Sequence, residues 1–160
     1  MTLMKGETQA VHLEKMMQKH KLYPEYELTL PPFFVKSKVL KKLSVDDVLL
    51  LGLDVLDFML MSNGKICAKV ELLEDENSQK IKIIYLEKDT LKQADTKKYE
   101  KVKCLFSVLH IRELKVGRQL SIEQLNLQEV KLFVNDVYIA VGALIEVDDE
   151  IAIQIKRVKK

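Results

Sequence analysis

Few residues in this chain are of types that do chemistry: three histidines, two cysteines and short acidic runs such as Asp46-Asp47 and Asp148-Asp149-Glu150. His12 and His20 fall eight apart in a helical stretch and share a face, yet two turns of helix hold them about 12 Å apart, too far to ligate one metal. His110 ends a strand-like run six residues beyond Cys104, about 20 Å away in extended chain, so local spacing supplies no thiolate–imidazole pair. Cys67 and Cys104 have no C-x-x-C and no neighbouring His. They read as small apolar side chains in a reducing compartment, with a disulfide between them as the other reading. Asp46-Asp47 and Asp148-Asp149-Glu150 separate apolar runs, where turns and caps take acidic side chains, and neither has the alternating oxygens of a calcium loop. No G-x-S-x-G, H-E-x-x-H, phosphate-loop or dinucleotide fingerprint is present. The expectation is a non-enzyme with no catalytic residue, no cofactor, no metal and no small-molecule substrate.

Composition points the same way. Apolar residues make up 48% and charged residues 31% of the 160 positions, so a folded chain is expected. Only 5 Gly and 3 Pro occur, which leaves little from which to build a phosphate-cradling loop. The 26 basic and 24 acidic residues nearly cancel to +2 and are interspersed, which argues against a nucleic-acid partner. No apolar run reaches the roughly 20 residues that span a bilayer, and the first residues lack the apolar stretch of a signal peptide, so a cytoplasmic chain is expected.

The elements that must position any site are mostly strands. Residues 1–24 read as a helical tail or docking segment, with a weak apolar stripe over Glu7–His20 that ends before Pro24. Tyr26, Leu28 and Leu30 then alternate with polar residues up to Pro31-Pro32. One helical turn over Val39–Leu43 precedes the apolar runs Val48–Leu53 and Val55–Met61. Asn63-Gly64 is a hairpin signal, Ile66–Leu73 the return strand, and Ile81, Ile83 and Tyr85 another strand. Residues 87–98 form a polar linker. Beyond it Val102, Cys104, Phe106 and Val108 alternate, His110–Leu114 reads as a short helix, and Val130, Leu132 and Val134 form a strand. Asn135-Asp136 turns that strand into Tyr138, Ala140 and Gly142, and Ile151, Ile153 and Ile155 close the chain.

The two halves repeat. An offset of 72 residues pairs Asn63 with Asn135, Ala68 with Ala140, Leu72 with Leu144, Ile81 with Ile153 and Ile83 with Ile155. Leu40–Leu43 matches Ile111–Leu114 at an offset of 71, so one residue is inserted in a loop or bulge near Glu123, since a slip inside a strand would turn its apolar face outward. The domains read as 25–86 and 99–160. Such a module alone buries only about 60% of its unfolded surface, which favours an intimate pseudo-symmetric pair over two independent beads. Both Leu56–Met61 and Val130–Val134 are apolar on both parities, so both of their faces must be covered. Phe33 and Phe34 are either core plugs or exposed anchors.

The C-terminal motifs resemble a known family. Ile111-Arg-Glu-Leu114, Val116-Gly117, Val130–Asp136, Ile139-Ala-Val-Gly142 and the alternating Ile151–Val158 are similar to the surface-presentation-of-antigens domain. That domain occurs in the rotor-ring proteins of the flagellar motor switch and of type III secretion sorting platforms. Val116, Gly117, Val134, Asn135, Ala140 and Gly142 fit its pattern, and Asp136 stands for the usual glycine of the turn. Residues 25–86 resemble a degenerate copy, with Asp46 in place of the glycine of the V-G step and Val70 in place of Gly142.

The resemblance implies a mainly β fold with short helices, in which two tandem modules interlock as a pseudo-symmetric pair. It also implies a non-enzymatic ring scaffold in the cytoplasm, peripheral at the inner-membrane basal body. Its implied partners are flagellar switch or secretion ring proteins, the linker protein of the export ATPase, and possible further copies of the chain. The residues expected to contact a partner are Val130, Leu132, Phe133, Val134, Tyr138 and Ala140. Asn63, Gly64, Gly117, Asn135, Asp136 and Gly142 are expected to be structural. A soluble adaptor outside the ring and a small β-scaffold enzyme or ligand-binding protein are the alternatives.

Overall fold

A computed structural model describes residues 23–75, 78–87 and 98–159. The helix read over Glu7–His20 and most of the polar linker lie outside them. The first half folds as β1 (Glu25–Thr29), β2 (Phe33–Lys36), α1 (Ser37–Lys41), β3 (Val48–Leu53), β4 (Phe58–Ser62), β5 (Lys65–Asp75) and β6 (Ser78–Leu86). The second half folds as β7 (Tyr99–His110), β8 (Gln119–Ile122), β9 (Val130–Val134), β10 (Val137–Val147) and β11 (Glu150–Val158). Among the described residues the fold is mainly β with one short helix, as the alternation requires.

Local chemistry accounts for the hairpins. Asn63 and Gly64 join β4 to β5 with φ of 52° and 77°, and Asn135 and Asp136 join β9 to β10 with φ of 49° and 62°. Two successive left-handed residues make the turn whose twist matches that of paired strands, and Asn, Asp and Gly are the residues that adopt it at least cost. Asp148 and Asp149, at 50° and 63°, do the same between β10 and β11. That acidic pair is turn chemistry.

Two local expectations are corrected. The run from Val55 becomes strand only at Phe58, and Val55 and Leu56 are exposed in the preceding loop. His110–Leu114 is not a helix: β7 continues through His110, and the Ile111 N–H donates to the Pro24 carbonyl at 3.0 Å. That bond and the burial of the Ile111 side chain hold the backbone extended where propensity alone permits a helical turn.

The strands recur at fixed offsets. β4, β5 and β6 have the lengths of β9, β10 and β11 and start 72 residues earlier, whereas β3 starts 71 before β8. The eleven strands of the described residues form one sheet, ordered β3-β11-β10-β9-β7-β1-β4-β5-β6-β8, with β2 also paired to β7. Exchanging each strand for its repeat equivalent and reversing the order returns the same order. The outermost strands are exchanged between halves: β3 lies on β11, and β8 lies on β6.

Registers agree across this exchange. Leu49 faces Ile153 and Leu50 faces Ala152, while Leu120 faces Ile81 and Ser121 faces Lys80. Beyond each ladder the Asp46 N–H donates to the Ile155 carbonyl at 2.8 Å, and the Gly117 N–H donates to the Ile83 carbonyl. Both donors have left-handed backbone, at φ of 75° and 90°. At the centre β1 and β2 run antiparallel to β7, from Glu25 opposite His110 to Lys36 opposite Tyr99. A single apolar cluster draws Leu28, Leu60, Ile81 and Ile83 from one half and Val102, Leu132, Ile153 and Ile155 from the other. Phe33 joins that cluster, and Phe34 points outward.

Candidate functional site

The residues first suspected of chemistry are dispersed. His110 places its Nε2 3.7 Å from Glu25 Oε2, across the β1–β7 ladder that sets the two residues opposite each other. Cys104 is buried in the core, and loss of hydration pushes its thiol well above the ordinary range, so it stays protonated and inert. No disulfide joins it to Cys67, whose Sγ lies 3.6 Å from the Lys65 carbonyl. Burial, with a smaller contribution from nearby Cys67, raises the Tyr26 hydroxyl above its usual value. Asp47 accepts from the Ser44 N–H at 2.9 Å and the Ser44 hydroxyl at 3.3 Å, which tightens the turn after α1. Among the described residues no three His, Cys, Asp or Glu side chains gather as a metal site.

The residues expected to meet a partner divide into two sets. Val130, Leu132 and Ala140 are fully buried in the shared cluster, so they support the surface from beneath and do not form it. The reason is strand parity: on β9 the even-numbered positions Val130 and Leu132 face the core. Phe133 projects from the opposite face, paired in register with Tyr138 and packed edge-to-face against it at 5.9 Å between ring centroids. The Lys103 ammonium sits 5.3 Å from the Phe133 ring and donates to both Glu27 carboxylate oxygens, at 2.7 and 2.8 Å. Lys159 lies over the other ring, 5.9 Å from the Tyr138 centroid. Phe133 is therefore a clamped, half-buried ring.

Val134 and Tyr138 also line an open groove of about 470 Å³ beside α1. Its apolar lining comes from Leu40 and Leu43 on one side, and from Val134, Val137, Ile139 and Val158 on the other. The topology explains the meeting. Val102 of β7 pairs with Phe33 on one edge and with Val134 on the other, so α1, which follows β2 directly, is carried to the flank of the β9–β10 hairpin. The contribution of α1 was invisible in the sequence, because nothing local relates residue 40 to residue 137. Val137 carried the one available signal, an apolar residue directly after a turn where the chain gains nothing by exposing it; it is 57% exposed.

The structural positions sit as turn and packing chemistry demands. Gly64 and Gly117 have left-handed backbone. At Gly142 a Cβ would collide with Ile153 Cγ2 and come within 3.0 Å of the Gln154 carbonyl oxygen, so the close passage of β10 over β11 excludes a side chain there.

No curated protein matches the chain. Residues 105–160, from the second half of β7 through β11 and including the β9–β10 hairpin, match the family described as type III flagellar switch regulator (C-ring) FliN C-term.

Proposed function

We propose that the chain is a non-enzymatic structural component of the cytoplasmic rotor ring of a flagellar motor switch or of the related type III secretion sorting platform. The family match over residues 105–160 carries this reading. The shared core and exchanged edge strands support it, because they join both halves in one continuous sheet suited to assembly. The chain would work at the inner-membrane basal body by contact with other switch or secretion ring proteins, with the linker protein of the export ATPase, and with further copies of itself. The exposed side of the β9–β10 hairpin, through Phe133, Val134 and Tyr138, is the surface assigned to these contacts, and residues 25–86 act as a second, diverged module of the same kind.

The test is a tagged chain in its own host. Basal-body foci, co-purification with switch-ring proteins and loss of motility or secretion on deletion are the expected results. A diffuse chain that co-purifies with unrelated proteins, in a deletion strain that still swims and secretes, would replace the ring scaffold with a free adaptor.

A further inference from the structure

We propose that the groove between α1 and the β9–β10 hairpin takes an acidic amphipathic segment of a partner protein, which sets apolar side chains on the groove floor and carboxylates against its lysine rim. The proposal rests on the assembly reading above only in requiring that a partner exists. The floor is mostly aliphatic with the Tyr138 ring beside it, while the charged groups lining the groove are Lys41 and Lys159 against the single carboxylate of Glu100. A second hollow of about 540 Å³ adjoins it through Ser37 and adds Lys36, Lys38 and Lys98 beside Tyr99. Among the described residues no ion pair engages Lys36, Lys38, Lys41 or Lys98. An apolar floor with uncompensated cations along its edge is complementary to an apolar segment flanked by Asp and Glu.

The repeat supplies an internal control. Where the groove has Val134, Val137 and Lys159, the equivalent positions 72 residues earlier hold Ser62, Lys65 and Glu87. The shared fold therefore does not require the valines or the lysine. A second copy docking groove to groove would set lysine against lysine across a two-fold axis, which disfavours self-association through this face. Nucleic acid would have no use for the aliphatic floor.

The test is a titration of the isotope-labelled full chain, followed by NMR, with a synthetic amphipathic peptide of about 16 residues bearing leucines at helical spacing and flanking glutamates. Its lysine-flanked analogue and a poly-glutamate of equal length are the controls. Shifts centred on Leu40, Leu43, Val137 and Tyr138 are expected, with binding at least about tenfold weaker for Val137→Asp and for Lys41→Glu combined with Lys159→Glu. If Val137→Asp loses its dispersed spectrum, Val137→Thr and the lysine variant supply the reading. Equal binding of the two charge analogues, equal binding of poly-glutamate, shifts centred elsewhere, or a concentration-dependent dimer abolished at Val137 would each overturn the proposal. Ring incorporation of the same variants in cells is scored separately. Groove-specific binding without incorporation would refute the ring scaffold alone, and incorporation without charge-selective binding would refute this proposal alone.

Discussion

The β4–β5 hairpin and the β9–β10 hairpin occupy equivalent places in the sheet, each turn through two successive left-handed residues, and start their strands 72 residues apart. Their cores agree: Leu60 and Leu132 are both fully buried, as are Ala68 and Ala140. Their outer faces do not. Met61 is buried, while its equivalent Phe133 is a half-exposed ring clamped by Tyr138 and Lys103. Lys65 follows one turn and Val137 the other. Positions that specify the fold are shared between the two hairpins, and positions that face outward have diverged.

The largest effect is expected from dividing the copies. A chain cut within residues 88–98 should elute as one associated species at micromolar concentration, because the cut leaves the shared cluster and the exchanged strands intact. Each half made alone should aggregate or fail to melt cooperatively, since it exposes an apolar face and has lost its outer strand. Two halves that separate and each melt as monomers would dissolve the idea of one core.

Leu60→Ala and Leu132→Ala should each cost about 2–5 kcal/mol in denaturant melts and agree with each other within about 1 kcal/mol, because both delete a fully buried leucine at the same place in the repeat. A large disparity would show that only one copy bears the fold. Met61→Ala should cost more than Phe133→Ala in the same melts: the methionine leaves a cavity at about 2–5 kcal/mol, whereas the ring forfeits an aromatic pair and a cation contact at about 0.5–2 kcal/mol. The reverse order would make Phe133 a core residue.

Cys104 sharpens the contrast electrostatically. Leu60 pairs with Leu28 in one half, and Leu132 pairs with Cys104 in the other, so only the second half holds a titratable group at this position. Its folded pKa is raised above the ordinary thiol value of 9.0, so the unfolded chain ionises first. Stability is full below that value and falls as pH rises past it, by about 1.4 kcal/mol per pH unit. Cys104→Ala should flatten this alkaline limb in melts at pH 8 to about 10.5, and an unchanged slope would remove the thiol as its cause. The smallest effect belongs to the turns before the exchanged strands. Asp46→Gly should stabilise by up to about 1 kcal/mol, and Gly117→Asp should destabilise by a similar amount, because both sites have left-handed backbone. A loss on Asp46→Gly would show that the aspartate side chain does more than tolerate the turn.

Much of the fold was legible in the residues. Alternation or apolar runs located most of the strands, though not β2 or β8, and Asn63-Gly64 and Asn135-Asp136 located two hairpins, because period and turn stereochemistry act over a few bonds. The reading failed at His110–Leu114, where a distant carbonyl at Pro24 captures the Ile111 N–H and holds the chain extended. The site was legible only in part. Val130, Leu132 and Ala140 stood among the residues expected to contact a partner and are buried, and no local spacing showed that α1 would wall a groove beside Val137.

The sequence by itself determined the strand-rich class, the hairpin turns and the repeat, since each is written in spacings between near neighbours or in identities at a fixed offset. The tertiary structure alone decided which strand pairs with which at the sheet's ends. β3 could satisfy its backbone groups on any edge of suitable register, and its alternation is the same wherever it docks. It lies on β11, as β8 lies on β6, because exchange closes both outer ladders over one common core, and that free-energy gain exists only when both halves are present.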